Sequence, residues 1–169
     1  GQGAFYEALN MGATWRLPIV YFCENNSYAM STPLTEAFRE TSVAARVAGF
    51  GLETIRVDGN DYFAVRQATE QAVSSVREGD GPVLIEALTY RLCGHSKSDK
   101  CEYRTRHEEA TWLARDPIAA MGRRLVADGV ATEAELQAIA QQADTDIQAA
   151  VAFADGAPDP DPATVQDHL

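Results

Sequence analysis

Three short, strongly apolar runs, residues 18–23, 52–57 and 82–89, alternate with segments of helical periodicity, and that alternation restricts the fold more than any other feature. Runs too short for helices and apolar on both faces read as strands covered by helices on both sides. Residues 3–16 place Phe5, Ala8, Leu9, Gly12 and Trp15 on one helical face, and Leu17-Pro18 ends the segment. Residues 41–48 suit a short helix opened by Thr41 or Ser42 and closed by Gly49. Asp61 caps a longer helix to about Arg77, with Val65, Ala68, Ala72, Val73 and Val76 inward. The turn Glu78-Gly79-Asp80-Gly81 delivers the third run. This αβαβαβ order predicts an α/β fold with a doubly wound, mostly parallel sheet joined by right-handed crossovers, incomplete at its amino end.

Beyond the sheet the chain turns polar from Tyr90 to Glu109, a length that inside a compact domain marks a functional or disordered loop. Helical segments follow at about 116–128 and 132–154. In the second, Leu136, Ile139, Ala143, Ile147, Val151 and Ala154 form a stripe suited to packing against the domain or a partner. The expected organisation is an α/β domain over 1–115, a helical appendage over 116–155 and an acidic, Pro-rich tail over 156–169.

A net charge of −11 with a pI near 4.6 speaks against a nucleic-acid partner, which phosphate-binding Lys and Arg clusters would serve. Cys23, Cys93 and Cys101 are an odd number with no disulfide spacing, as suits a reducing cytoplasm. No apolar stretch approaches the roughly 20 residues of a spanning helix, and no signal peptide is visible, so no membrane role is expected. The chain opens at Gly1-Gln2-Gly3 without a methionine, which reads as a fragment or a processed product.

The chemistry concentrates behind two strands. Glu24-Asn25-Asn26-Ser27-Tyr28-Ala29 follows the first and opens a polar loop expected over 24–36, at the carboxyl edge where open α/β sheets place ligands. Asn side-chain and backbone oxygens there suit Mg²⁺, which takes few carboxylates and relies on substrate phosphates. The same residues equally suit an Asx turn, in which the amides bond only their own backbone. His95, between Gly94 and Ser96 past the third strand, is a candidate general acid or base, with Arg91, Asp99, Tyr103 and Arg104 placed to order its loop. Ser96 and Ser98 are candidate phosphorylation sites. Cys93, His95, Cys101 and His107 could be drawn as a zinc set, although their spacing matches no common zinc pattern. Gly1-Gln2-Gly3 before a helix is a weak phosphate-binding signal.

Taken in order, Gly1-Gln2-Gly3-Ala4-Phe5-Tyr6-Glu7-Ala8-Leu9-Asn10, Trp15-Arg16-Leu17-Pro18, Glu24-Asn25-Asn26-x-Tyr28, Gly94-His95-Ser96-x-Ser98-Asp99 and Tyr103-Arg104-Thr105-Arg106 resemble the alpha subunits of the thiamine diphosphate-dependent 2-oxo acid dehydrogenases, over residues 1 to about 128. The resemblance implies that Asn26 and the backbone oxygen of Tyr28 bind the Mg²⁺ that holds thiamine diphosphate, with Ala29 and His95 also at the cofactor. It makes His95 the catalytic histidine, and Arg91, Ser96, Asp99, Tyr103 and Arg104 the residues that order the loop over the site. It implies a beta subunit in a heterotetramer of two alpha and two beta chains, a lipoyl acyltransferase that receives the acyl group, and a small 2-oxo acid or acetoin as substrate. In this family a Gly-Asp-Gly motif precedes the Asn-Asn pair and supplies the metal's carboxylate. Its place would be just ahead of Gly1, so the chain is expected to be the carboxyl-terminal portion of such a subunit, inactive alone. Two rival readings are a binding module or inactive remnant of the same fold, and a small zinc-dependent regulatory domain.

Overall fold

The computed structural model describes residues 2–167. Helix α1 (Gly3–Thr14) leads into β1 (Val20–Asn25), followed by a small hairpin of β2 (Tyr28–Ala29) and β3 (Thr32–Pro33). Two short helices, α2 (Leu34–Ala37) and α3 (Val43–Val47), precede β4 (Glu53–Asp58), α4 (Tyr62–Glu78) and β5 (Val83–Leu88). The remaining helices are α5 (Arg106–Leu113), α6 (Pro117–Ala127) and α7 (Glu133–Gly156). A first compact unit ends at Ala120 and a second begins at Met121.

The sheet is parallel, in the order β1-β5-β4. The last strand in sequence therefore lies in the middle, and Val83 to Ala87 are all buried. Side chains of a strand alternate between faces. Leu84 joins Leu9 of α1, Val43 and Val47 of α3, and Tyr21 and Cys23 of β1. Its neighbours Val83 and Ile85 meet Ala72 and Val76 of α4 on the other face, with Val20, Ile55 and Val57. Helices thus cover both faces, which is why β5, between the other two strands, is apolar but for Glu86. Burying a side chain such as Ile85 stabilises the fold by about 1.5–3 kcal/mol.

Local signals placed the helix starts. Ser42 Oγ accepts the Ala45 N–H, and Asp61 Oδ1 accepts those of Phe63 and Ala64. Gly79 ends α4 at a φ of +90°, a left-handed conformation that costs glycine little.

The structure departs from expectation in three places. β1 runs two residues further than its apolar run, because the ladder to β5 continues through Glu24 and Asn25 whatever their side chains. Residues 24–36 are not a plain loop but hold the hairpin and α2. The stretch from Tyr90 to Glu109 becomes helical at Arg106, where the Thr105 hydroxyl accepts the Glu108 N–H at 3.1 Å and opens α5.

In the second unit, α7 starts with a capping box: Thr132 Oγ1 accepts the Glu135 N–H, and Glu135 accepts the Thr132 N–H. Its apolar stripe is open, with Ile139, Ile147 and Val151 exposed by 67, 63 and 49%. Among the described residues no helix is long and apolar enough to cross a membrane, and all three cysteines are free.

Candidate functional site

Parallel pairing brings the carboxyl ends of all three strands to one edge, at Asn25, Asp58 and Leu88. The turn out of β1 is built from two overlapping Asx turns. Asn25 Oδ1 accepts the Ser27 N–H at 3.2 Å, and Asn26 Oδ1 accepts the Tyr28 N–H at 3.1 Å. Both amides therefore do bond their own backbone. A carbonyl oxygen has two lone pairs, however, so Asn26 Oδ1 keeps one. The Leu34 N–H bonds to Ser27 O at 2.8 Å, which makes Tyr28 and Pro33 the non-hydrogen-bonded pair of the hairpin and turns the Tyr28 carbonyl outward. Ala29 pairs with Thr32 beside it. Asn26 Oδ1 and Tyr28 O are thus neutral oxygen donors at the sheet edge, a donor set that fits two of the six positions around Mg²⁺.

Beneath this turn lies Glu86, fully buried in the middle of β5. Oε1 accepts from Asn25 Nδ2 at 2.7 Å and from the Val43 N–H at 3.0 Å; Oε2 accepts from Ser42 Oγ at 2.9 Å and the Ala44 N–H at 3.0 Å. Arg56 Nε lies 3.6 Å from Oε2. Burial alone would raise this carboxyl's pKa, but the Ala44 and Val43 N–H groups with Asn25 and Ser42 outweigh it, and the pKa is lowered. Burial, then the neighbouring Glu86 charge, push the Cys23 thiol up, so it is no reactive thiolate. Sequence reasoning passed over Glu86. Its one visible signal is a carboxylate inside the otherwise apolar run Val83-Leu84-Ile85-Glu86-Ala87-Leu88.

The loop after β5 is laced to the hairpin. Arg91 donates to Met30 O at 2.6 Å and to Tyr103 Oη at 3.2 Å, and its Nη1 meets His95 Nδ1 at 3.2 Å. A guanidinium can only donate, so this contact makes Nδ1 the acceptor and leaves the imidazole proton on Nε2. Asp99 Oδ2 accepts the His95 N–H and the Tyr103 hydroxyl, each at 2.8 Å, while Oδ1 accepts the Cys101 N–H at 2.9 Å. The N–H bonds from Cys101 and His95, then the Tyr103 hydroxyl, hold Asp99 down to a pKa of about 2. Gly94 has no alternative here: a Cβ would stand 2.9 Å from Asp99 Cβ and 3.0 Å from its carbonyl oxygen.

Arg104, its side chain all but sealed from solvent, donates to Arg91 O, Leu92 O and Glu109. Tyr28 and Tyr90 donate to Glu108, and Tyr90 stacks on Trp112. Arg91, His95, Asp99, Tyr103 and Arg104 are thereby brought together. Ser96 and Ser98 sit exposed at the loop tip with hydroxyls 3.3 Å apart. Beside the Asn25–Tyr28 turn, a cavity of about 260 Å³ is lined by Asn25, Ser27, Tyr28, Leu34, Arg56 and Glu108 among others. No three His, Cys, Asp or Glu side chains converge on a metal position among the described residues, so the set Cys93, His95, Cys101 and His107 has no zinc geometry. Of the Gly1-Gln2-Gly3 signal, Gly1 lies outside the described residues, and Gln2 makes no side-chain cap on α1.

The family model for the dehydrogenase E1 component matches residues 1–163. The chain belongs to that family. The resemblance to E1 alpha subunits is also carried by relatives. The pyruvate dehydrogenase E1 component subunit alpha of Porphyra purpurea is 40% identical over 168 residues, covering 99% of this chain and 49% of the relative. That of Rhizobium meliloti (strain 1021) is 42% identical over 161 residues, with 95% and 46% covered. Subunit alpha-3 of Arabidopsis thaliana, described as chloroplastic, is 40% identical over 159 residues, with 94% and 37% covered. The chain spans about half the length or less of these curated E1 relatives. A transketolase structure from Campylobacter jejuni also aligns, at 23% identity and a TM-score of 0.49 over 69% of this chain and 19% of that one.

Proposed function

We propose that this chain is the cofactor-gripping, carboxyl-terminal half of an E1 alpha subunit that decarboxylates pyruvate with thiamine diphosphate and Mg²⁺ and passes the acetyl unit to a lipoyl group. The observation that carries the reading is the pair of outward oxygens, Asn26 Oδ1 and Tyr28 O, at the carboxyl edge of a parallel sheet within an E1 family match. The substrate follows that of the pyruvate dehydrogenase relatives.

Asn26 and Tyr28 would hold the metal, with diphosphate oxygens, water and a carboxylate from outside these residues completing the octahedron. Ala29, next in the hairpin, would lie beside the diphosphate. Thiamine diphosphate, when bound, supplies the nucleophile and the electron sink for decarboxylation; the protein positions and compensates charge. His95, with Nδ1 engaged by Arg91, presents its Nε2 proton to an oxygen that gains negative charge as the 2-oxo carbon is attacked. Arg91, Asp99, Tyr103 and Arg104 order the loop that carries His95, and Ser96 belongs to the same loop at its tip. The complete domain is a doubly wound sheet with a carboxyl-terminal helical appendage. Its partners are a beta subunit in a heterotetramer and a lipoyl acyltransferase, and its compartment is the cytoplasm.

The test is calorimetric titration of Mg²⁺ and thiamine diphosphate into the alpha chain extended to the length of its relatives and co-expressed with a beta chain. Saturable, Mg²⁺-dependent uptake with pyruvate turnover is the expected result. No uptake would leave a binding module or inactive remnant of the same fold.

A further inference from the structure

The carboxylate of Glu86 has no role in the chemistry above, yet it is the most completely surrounded charge in the first unit. Four donors converge on it within 3.0 Å, from the start of α3 and the end of β1. A charge in the middle of an apolar strand is costly to desolvate, and its donors must offset that before it stabilises anything. Three of them belong to the start of α3, at Ser42, Val43 and Ala44. The fourth is the amide of Asn25, the last residue of β1.

That fourth bond determines which way round the Asn25 amide sits. With Nδ2 turned onto Glu86 Oε1, Oδ1 can only face the other way, where it accepts the Ser27 N–H. Ser27 is held at a φ of +70°, a left-handed conformation that a non-glycine residue adopts only when its surroundings impose it. The next peptide carries Tyr28, whose N–H is fixed by Asn26 Oδ1 and whose carbonyl leaves the hairpin. We infer that Glu86 is a positioning residue: through the Asn25 amide it locks the Asn25–Tyr28 turn, and so sets the two oxygens offered to the metal of a bound diphosphate. The inference rests on the functional reading above. Outer partners of metal ligands, when removed, commonly lower metal affinity by about 10- to 100-fold.

Two variants separate this from a purely structural role, each in the full-length alpha chain with its beta partner. Glu86→Gln keeps the volume but replaces one acceptor oxygen with a donor. Asn25→Ala leaves Glu86 and its three α3 donors in place, and covers the case in which the first variant does not fold. The first readout needs no cofactor: amide hydrogen exchange, which should accelerate at least about tenfold at Ser27 and Tyr28 in Glu86→Gln and at Tyr28 in Asn25→Ala, while Leu84 and Ile85 stay protected. The second is Mg²⁺ affinity in the presence of thiamine diphosphate, which should fall by about 10- to 100-fold, with kcat recovering at saturating Mg²⁺. Unchanged exchange at Ser27 and Tyr28, or unchanged Mg²⁺ affinity beside a wild type that binds normally, overturns the inference. A wild-type complex that takes up no thiamine diphosphate overturns the functional reading itself, and the inference with it.

Discussion

Tyr28 and Tyr90, 62 residues apart in sequence, both hand their hydroxyl protons to one oxygen of Glu108, at 2.8 and 3.0 Å. Their rings meet edge to face, with centroids 6.0 Å apart. The contact welds the hairpin after β1 to the loop after β5 through α5. Glu108→Ala would leave two part-buried hydroxyls without an acceptor and should destabilise the first unit by about 1–3 kcal/mol, more than the loss of one donor. Tyr28→Phe removes one donor only and should cost about 1 kcal/mol. Denaturant unfolding followed by Trp112 fluorescence measures both, and equal losses would show that the shared acceptor is unimportant.

The same cluster predicts an alkaline limit. Burial first, then the Glu108 hydrogen bond, raise Tyr28 to a pKa of about 12, and the same causes raise Tyr90. A raised pKa means that the folded state holds the proton longer. The stabilisation is whole below the unfolded value near 10 and is lost as pH rises toward 12. Phenolate absorbance should show these two tyrosines ionising above the ordinary value near 10, together with unfolding. Early ionisation of all six tyrosines would contradict the buried cluster.

Asp99 gives the opposite sign. Its carboxyl is held at about 2 against an ordinary 3.8, so the loop gains from it above about pH 4 and loses that support as the pH falls toward 2. Protease nicking within 95–101 should rise over that window and not before. Asp99→Asn, with one acceptor oxygen for three donors, should be nicked readily at neutral pH and show no such window.

Gly94→Ala should destabilise the loop by about 1–3 kcal/mol, because its Cβ would press on the Asp99 backbone and on Cys101 Sγ at 3.1 Å. Gly122→Ala is the control. There the nearest atom is Leu136 Cδ1 at 3.4 Å, inside a helix, and relief of glycine's poor helix propensity should be neutral or stabilising by up to about 1 kcal/mol. Thermal melts of the two variants should move in different directions.

In the full-length complex, Asn26→Ala should weaken Mg²⁺ and thiamine diphosphate binding by tenfold or more with little loss of stability, since a turn amide packs little. His95→Ala should lower kcat by about 10²-fold or more and leave cofactor affinity nearly unchanged. Wild-type cofactor affinity in the first variant, or a wild-type rate in the second, would withdraw the role assigned to that residue.

Much of this was legible from residue order. Ser42 and Asp61 announce their helices because a side-chain oxygen at that position satisfies amides the helix cannot. The three apolar runs announce strands because nothing else so short needs to be apolar on both faces. What escaped is set by partners rather than by local pattern. Asn25 counts as strand only because Leu88 extends the ladder beside it. Helix α5 has few apolar residues to betray a period, and its best anchor, Trp112, is explained only by the Tyr90 ring lying parallel to it, with centroids 5.1 Å apart. Glu86 was hidden by its company: one carboxylate among aliphatic residues reads as an exposed face until the donors of α3 and Asn25 are seen around it.

The loop that carries His95 is pinned at its base, apart from the small turn that Asp99 closes at its tip. Arg104 grips the carbonyls of Arg91 and Leu92, and Tyr90 reaches Glu108, so both strands of the excursion leave the sheet edge already clasped. Chain length beyond the clasp is then nearly free, since each doubling of a flexible loop adds only about 0.6 kcal/mol of closure cost. Residues inserted between Ser96 and Ser98 would open the small turn closed by Asp99 but leave the clasp at the base untouched. Drift in the loop's length can therefore accumulate at the tip, while the residues of the clasp must be kept or lost as a set.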